Sequence, residues 1–273
     1  MRLVSFSVED GPIRAGVHVD GNVVDTGLPM RRLLGRIPGL PNVGRYPIDD
    51  VRIHPPVPDP GKIMCIGRNY RDHAAEQDVE VPEAPMVFAK YASSLIAHGE
   101  PIELSPLSDR VDWEAELAVV IGRSGYRIPQ RQALSHVAGY TIMNDVSARD
   151  LQRADGQWTR AKSLDTFGPM GPELVTADEV GDPHALHIRS LVNGQVMQDA
   201  ETGLMIHRIP KLIAYLSEAF TLEPGDIIAT GTPAGVGAFR EPPVFLRAGD
   251  VVRCEIERVG VLENHVVEPR MKI

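Results

Sequence analysis

One stretch limits what this chain can fold into more than any other. Asp112-Trp113-Glu114-Ala115-Glu116-Leu117 alternates acidic with apolar residues and runs directly into Ala118-Val119-Val120-Ile121-Gly122. Period-two alternation reads as a β-strand, because successive strand side chains point to opposite faces. The carboxylates of Glu114 and Glu116 then project together. Two like charges side by side, on a strand that turns wholly apolar, are unfavourable unless water or a cation offsets them. The stretch therefore reads either as a solvated, charged sheet edge or as one wall of a cation site.

The rest of the chain is turn-rich. Its 273 residues include 23 prolines and 25 glycines, with aromatic residues at 5%, which favours a β-rich fold over a helical bundle. That length allows one large or two smaller domains. The formal net charge is −9 and no basic block occurs, which argues against nucleic acid and anionic membrane as partners. Cys65 and Cys254 are the two cysteines, too few and too far apart in sequence for a disulfide framework or a thiolate zinc site. No apolar run approaches the roughly 18–20 residues of a membrane span, and a cytoplasmic location is the expectation.

Strands are expected at 3–8 and 13–19, with a short helical turn at 30–34. The segment His54-Pro55-Pro56-Val57-Pro58-Asp59-Pro60-Gly61 reads as a linker or extended arm. It separates a small N-terminal β-rich module, 1–58, from a catalytic domain, 59–273. After a buried-type strand at 62–66, Asn69 is a candidate N-cap for a short helix. On that helix His73 and Glu76 are i, i+3 neighbours within hydrogen-bonding reach; on their own they read equally as an incidental surface pair. Asp145 falls at the end of a buried strand, 137–143, as a presented side chain or as a helix N-cap. Asn193-Gly194 marks a hairpin. Ile209 to Phe220 has the pattern of an amphipathic helix. The loop Thr230-Gly231-Thr232-Pro233-Ala234-Gly235-Val236-Gly237 lacks the spacing of a phosphate or dinucleotide loop. It reads as a backbone that closely approaches a ligand oxygen, or as a structural turn.

Four separated segments occur in order: Gly-Arg-Asn-Tyr-x-x-His-x-x-Glu at 67–76, Trp-Glu-Ala-Glu-Leu at 113–117, Asn-Asp-Val-Ser-Ala-Arg-Asp-Leu-Gln at 144–152 and Thr-Gly-Thr-Pro-x-Gly-Val-Gly at 230–237. Between the last two lies Ala161-Lys162-Ser163-Leu164-Asp165-Thr166-Phe167-Gly168-Pro169. Taken together, over roughly residues 60–268, they resemble the fumarylacetoacetate hydrolase family, bacterial branch. The resemblance implies a β-rich α+β fold, a mixed β-sandwich roll with short peripheral helices, and a homodimer. It also implies metal ligands at Glu114, Glu116 and Asp145, a catalytic pair at His73 and Glu76 on a mobile lid helix, and an active-site lysine at Lys162. Arg149, Gln152 and Thr232 match positions near the substrate. Ile66 stands about where the family's animal hydrolase has a fourth acidic ligand, so three protein ligands are expected. Lys90-Tyr91-Ala92-Ser93-Ser94-Leu95 departs from the usual Lys-Pro-Ser.

Three carboxylates without His or Cys form a hard-oxygen site suited to Mg²⁺ or Mn²⁺. A 2-oxo acid chelated there through its carboxylate and keto oxygens gives an enolate that the metal stabilises. With His73 activating water and Lys162 stabilising an oxyanion, the expected reaction is C–C hydrolysis of an acylpyruvate-type 2,4-dioxo acid. The same enolate serves oxaloacetate decarboxylation, or hydration and isomerisation of unsaturated 2-oxo dicarboxylates. A metal-binding protein without turnover is the alternative from another class; the His73/Glu76 pair argues against it, because a structural metal site needs no general base. The lid segment, 70–84, has few apolar anchors and is expected to leave His73 far from the metal when no ligand is bound.

Overall fold

The structure, a computed structural model, describes residues 1–35, 39–78 and 80–269. Val79 of the expected lid and residues 270–273 of the expected catalytic domain lie outside the described residues. The acidic stretch lies at the centre of the molecule, not at an edge. Ala115–Ile121 pairs antiparallel with Val137–Asn144 on one side and with Ile227–Ala229 on the other, inside a twelve-stranded sheet. Both faces of this strand are covered, which is why it is continuously apolar from Leu117 to Ile121. Leu117, Val119 and Ile121 pack into a core shared with Ile188, Cys254, Ile256 and Leu262 of a five-stranded sheet. Ala118 and Val120 pack into a second core with Cys65, Met143 and Ala229. By alternation Glu116 faces the same way as Ala118 and Val120. The fold is thus a mixed β-sandwich roll with few, short helices, as the resemblance implies.

The register places the site. Ala115 lies opposite Asn144, Ala118 opposite Ala229, and Ala229 beside Cys65 of the parallel strand Ile63–Gly67. The chain therefore leaves the strands after Gly67, Asn144 and Ala229 at the rim where Ala115–Ile121 begins. Asn69, Asp145 and Thr230 all follow these exits within a few residues. Asn69 does not cap a helix. Its amide nitrogen donates to the carbonyls of His207 (3.0 Å) and Thr230 (2.7 Å), and its oxygen accepts the His207 N–H (2.8 Å). Tyr70 takes the N-cap position of the helix Arg71–Glu76 instead.

The N-terminal strands extend the central sheet. Arg2–Ser7 pairs with Gly168–Thr176, Arg14–Val19 pairs with Arg2–Ser7, and the sheet continues through Asn22–Asp25 to Gly44–Pro47. Of the two readings of the proline-rich segment, linker or extended arm, its packing fits the arm. Pro55, Pro56 and Val57 are buried, and the Pro56 carbonyl accepts the Ser5 hydroxyl at 2.8 Å. Proline suits this packed crossing because it has no N–H to satisfy. Other elements match their patterns. The hairpin His187–Val192/Gln195–Glu201 turns at Asn193 and Gly194, both with positive φ, as a type I′ turn requires. The helix Ile209–Ala219 buries Ile209, Leu212, Ile213 and Leu216.

Leu117 is fully buried between the two sheets. Leu117→Ala is expected to lower unfolding free energy by about 2–5 kcal/mol, whereas Val43→Ala, at an exposed site, should change it by less than ~0.5 kcal/mol. Denaturant unfolding of both variants checks this; equal, small effects would contradict the placement of Leu117.

Candidate metal and active site

Glu114, Glu116 and Asp145 each offer one oxygen, and these oxygens lie within 4.8 Å of one another. All three residues are buried, at 5%, 1% and 0% exposure. Cations crowd around two of them. Glu114 pairs with Lys162 Nζ at 2.8 Å and Arg149 Nη2 at 2.7 Å. Asp145 pairs with Lys162 Nζ at 2.6 Å and Lys90 Nζ at 2.8 Å. Glu116 has no ion pair among the described residues and accepts one hydrogen bond, from the Gly231 N–H at 2.9 Å.

That asymmetry divides the titration. Burial alone raises the Glu114 carboxyl, but the Lys162 ammonium and the Arg149 guanidinium outweigh it and hold the group at about 2. Burial pushes Glu116 well above the usual carboxylate range, and the charges of Asp145 and Glu114 push it further. Burial works against the Lys162 charge, yet Asp145 and Glu114 raise its pKa overall. The donor set is oxygen only, buried, convergent, and one member has no cationic partner. It fits Mg²⁺ or Mn²⁺, which Glu114, Glu116 and Asp145 would hold.

The glycine-rich loop holds protein carboxylates. Its N–H groups point at three of them: Gly231 to Glu116 (2.9 Å), Gly235 to Glu76 (3.0 Å), and Gly237 with Ala238 to Asp112 (2.7 and 3.0 Å). Gly231 has φ +96 and would place a Cβ 2.7 Å from Asn69 Cβ; Gly235 has φ +103 and would place one 2.1 Å from the Met197 carbonyl. Both positions need glycine for conformation and for space. Asp112 is a site residue that sequence reasoning left without a role. Fully buried, it also accepts Arg149 Nε at 2.8 Å and so fixes that guanidinium. Its signal was its place in the 112/114/116 alternation.

His73 is 4% exposed, and its helix, Arg71–Glu76, brings it to the cavity wall. The helix is seated by the buried Tyr70 ring and Ala74 and by the Gly235 N–H that holds Glu76. His73 Nδ1 lies 2.6 Å from Glu76 Oε1. The Phe239 ring packs edge-on against the imidazole at 6.1 Å and under the Arg149 guanidinium at 5.7 Å. His73, Glu114, Glu116, Lys162 and Thr232 line one cavity of about 490 Å³, with Arg149 and Gln152 on its wall. Gln152 accepts from Arg149 Nη1 at 3.1 Å. Thr232 donates to the Ala115 carbonyl at 2.9 Å and accepts from Gln198 at 2.6 Å. The structure thus gathers all nine sequence-predicted site residues into one connected set. Lys162 spends its three ammonium hydrogens on Glu114, Asp145 and the Ser147 hydroxyl, so its place is that of a counter-ion. Lys90, missed as a site residue, shares that place through Asp145.

Residues 62–267 match the family described as fumarylacetoacetate (FAA) hydrolase C-terminal. The chain belongs to the fumarylacetoacetate hydrolase family. As a member of this family it is an enzyme. It is 46% identical over 288 residues to a Xenopus laevis protein named oxaloacetate tautomerase fahd2, mitochondrial, covering 98% of this chain and 90% of that one. Among solved structures it resembles 5-carboxymethyl-2-hydroxymuconate delta-isomerase from Mycobacterium smegmatis, with TM-score 0.85 and 39% identity over 98% of this chain and 100% of that one. It also resembles maleylpyruvate hydrolase from Sphingobium sp. SYK-6, in complex with manganese(II) ion and pyruvate. There the TM-score is 0.80 at 32% identity, covering 99% and 100% of the two chains.

The raised pKa of Glu116 has a measurable sign. In the unfolded chain this carboxyl ionises near about 4.3; in the folded chain it ionises well above that. Its contribution to stability is therefore full below the unfolded value and is lost as pH rises through the folded one. Cation binding requires the ionised form, so Mg²⁺ or Mn²⁺ should displace a proton. Titrating the metal-free protein in weak buffer near neutral pH should release up to about one proton per ion bound, and affinity should rise with pH. Binding without proton release would show that Glu116 is already ionised.

Proposed function

We propose that the chain is a divalent-metal-dependent enzyme acting on 2-oxo dicarboxylates, and that its principal reaction is the enol–keto interconversion of oxaloacetate or a close analogue. The observation that carries this reading is the shared cavity: a buried imidazole paired to a carboxylate stands in the same 490 Å³ space as the Glu114/Glu116 cluster. Arg68, Arg110 and Arg153 also line it, and none of them has a carboxylate partner among the described residues. Cationic walls of that kind suit a substrate with a second carboxylate. The name carried by the Xenopus laevis relative supports the same substrate class.

In this reading a divalent cation held by Glu114, Glu116 and Asp145 supplies Lewis-acid stabilisation of negative charge at the 2-oxo oxygen. His73 takes the proton from C3, and Glu76 holds the protonated ring through Nδ1. The proton returns to the substrate oxygen as the enol forms. Lys162 and Arg149 keep Glu114 ionised, and Lys162 and Lys90 pair with Asp145. Arg149, set by Asp112 and stacked on Phe239, faces a substrate carboxylate together with Gln152. Thr232 shapes the wall through its bond to Ala115.

Hydrolysis of an acylpyruvate-type 2,4-dioxo acid is the second reading. The His73–Glu76 pair favours it, because the same base can take a proton from water, and one structural neighbour is a maleylpyruvate hydrolase. Decarboxylation of oxaloacetate and isomerisation of unsaturated 2-oxo dicarboxylates use the same groups. We further propose a homodimer, in keeping with the outer strand Met86–Ala89, where Val87 and nearby Tyr91 are exposed, and a cytoplasmic location. Among the described residues no helix is long and apolar enough to cross a membrane.

The test follows enol absorbance of oxaloacetate and, separately, pyruvate release from oxaloacetate and from acylpyruvates, with Mg²⁺ and Mn²⁺. The wild type should speed loss of the enol signal, and His73→Ala should cut this by about 10²-fold or more. Pyruvate release from an acylpyruvate without any tautomerase activity would instead establish the second reading. Full activity in His73→Ala would remove His73 as the base in both.

A further inference from the structure

Both ring nitrogens of His73 have partners, and the partners fix what each nitrogen does. Nδ1 lies 2.6 Å from Glu76 Oε1, while the other oxygen of Glu76 accepts the Gly235 N–H at 3.0 Å. A carboxylate only accepts, so Nδ1 carries a hydrogen. Nε2 lies 2.7 Å from the amide nitrogen of Gln77. That nitrogen only donates, so Nε2 is a bare acceptor. The assignment depends on which end of the Gln77 amide faces the ring, and a residue that does not touch His73 decides it. Arg68 Nε donates to Gln77 Oε1 at 3.1 Å. A guanidinium has no acceptor, so turning the amide over would set donor against donor at Arg68.

Arg68 is itself firmly seated. Its guanidinium lies over the Trp158 ring at 5.7 Å. Its backbone has φ 54, a region uncommon for residues with a side chain and associated with functional sites. Arg68, His73, Gln77 and Trp158 all line the cavity.

We propose that Arg68 and Gln77 are positioning residues: Arg68 sets the direction of the Gln77 amide, and the amide keeps His73 Nε2 an unprotonated acceptor at the cavity wall until substrate arrives. This rests on the reading of His73 as the base. The lone pair at Nε2 is single, so the amide must leave when substrate enters. The C3–H bond then breaks, its electron pair stays on the substrate as the enolate, and the new N–H forms at Nε2. Without Arg68 the amide is free to turn and present its oxygen, which favours a hydrogen on Nε2 and disables the base.

Long-range ¹H–¹⁵N spectra of histidine-labelled protein with Mg²⁺ at neutral pH read this state directly, with the His73 signals identified by their loss in His73→Ala. In the wild type, Nδ1 should fall in the protonated range and Nε2 in the bare range. In Arg68→Met, Nε2 should move toward the protonated range, and kcat should fall about 10-fold or more, a part of the roughly 10²–10⁴-fold that a positioned base contributes. In a Gln77→Leu background, Arg68→Met should have no further effect on Nε2, because Arg68 acts through the amide. Gln77→Glu, a change at the half-buried end of the helix, should protonate Nε2 and serves if Arg68→Met does not fold. An unchanged Nε2 in Arg68→Met or Gln77→Glu overturns the proposal, as does an undiminished shift by Arg68→Met without the Gln77 amide. The spectra need no turnover. An inactive wild type with the expected shifts would count against the proposed reaction alone, and an active one with unmoved shifts against the clamp alone.

Discussion

The structure depends on one electrostatic constraint: three carboxylates are buried at the rim of a strand whose remaining side chains are wholly apolar. Burial makes each charge costly, and proximity makes the three repel. Lys162, Lys90 and Arg149 offset Glu114 and Asp145, leaving Glu116 with a single backbone N–H. Much of the surrounding architecture serves this balance. The strands bearing Glu116 and preceding Asp145 are adjacent and in register, and Lys90 and Lys162 come from two further segments. A buried set of this size persists because almost every member has a partner.

The glycine-rich loop extends the balance outward. A run of N–H groups holds Glu116, then Glu76, then Asp112, so one loop sets a carboxylate of the acidic cluster, the partner of His73 and the anchor of Arg149. Phe239, just beyond, contacts both His73 and Arg149. His73 and Arg149 are therefore positioned through the same loop and its neighbour Phe239.

Much of this was legible in the sequence because chemistry-bearing residues fell at readable places. Alternation at Glu114 and Glu116, the strand-end place of Asp145 and the helical spacing of His73 and Glu76 each left a bland reading open, and the four ordered segments that resemble the family turned them into site residues. The hairpin at Asn193-Gly194 and the amphipathic helix were visible from local patterns. What stayed hidden depends on long-range contacts. Lys90 reaches Asp145 across 55 residues; its stretch drew notice only for departing from the usual Lys-Pro-Ser, and that gave no partner for its ammonium. Asn69 looked like a cap because its type is right for one, but its side chain instead ties together His207 and Thr230. The proline-rich segment read by composition as a linker or an extended arm, and the burial of Pro55, Pro56 and Val57 fits the arm. Gln77 stands four residues after His73, at helical spacing, but the Arg68 contact that orients its amide spans nine residues and shows in no local pattern.

The functional reading follows from a cation-ready acidic cluster, an imidazole paired to a carboxylate beside it and a wall of guanidinium groups. Each is an ordinary device; their meeting in one cavity points to enolisation of a 2-oxo dicarboxylate. The central claim is that Glu116 is an uncompensated buried carboxylate which a divalent cation completes. Its most direct test compares unfolding midpoints of the wild type and Glu116→Gln, each with and without Mn²⁺. Neutralising Glu116 should leave the metal-free protein as stable as the wild type or more so near neutral pH, while most of the stabilisation by Mn²⁺ is lost. A metal-free Glu116→Gln protein that is clearly less stable, or one that Mn²⁺ stabilises as much as the wild type, would contradict the account.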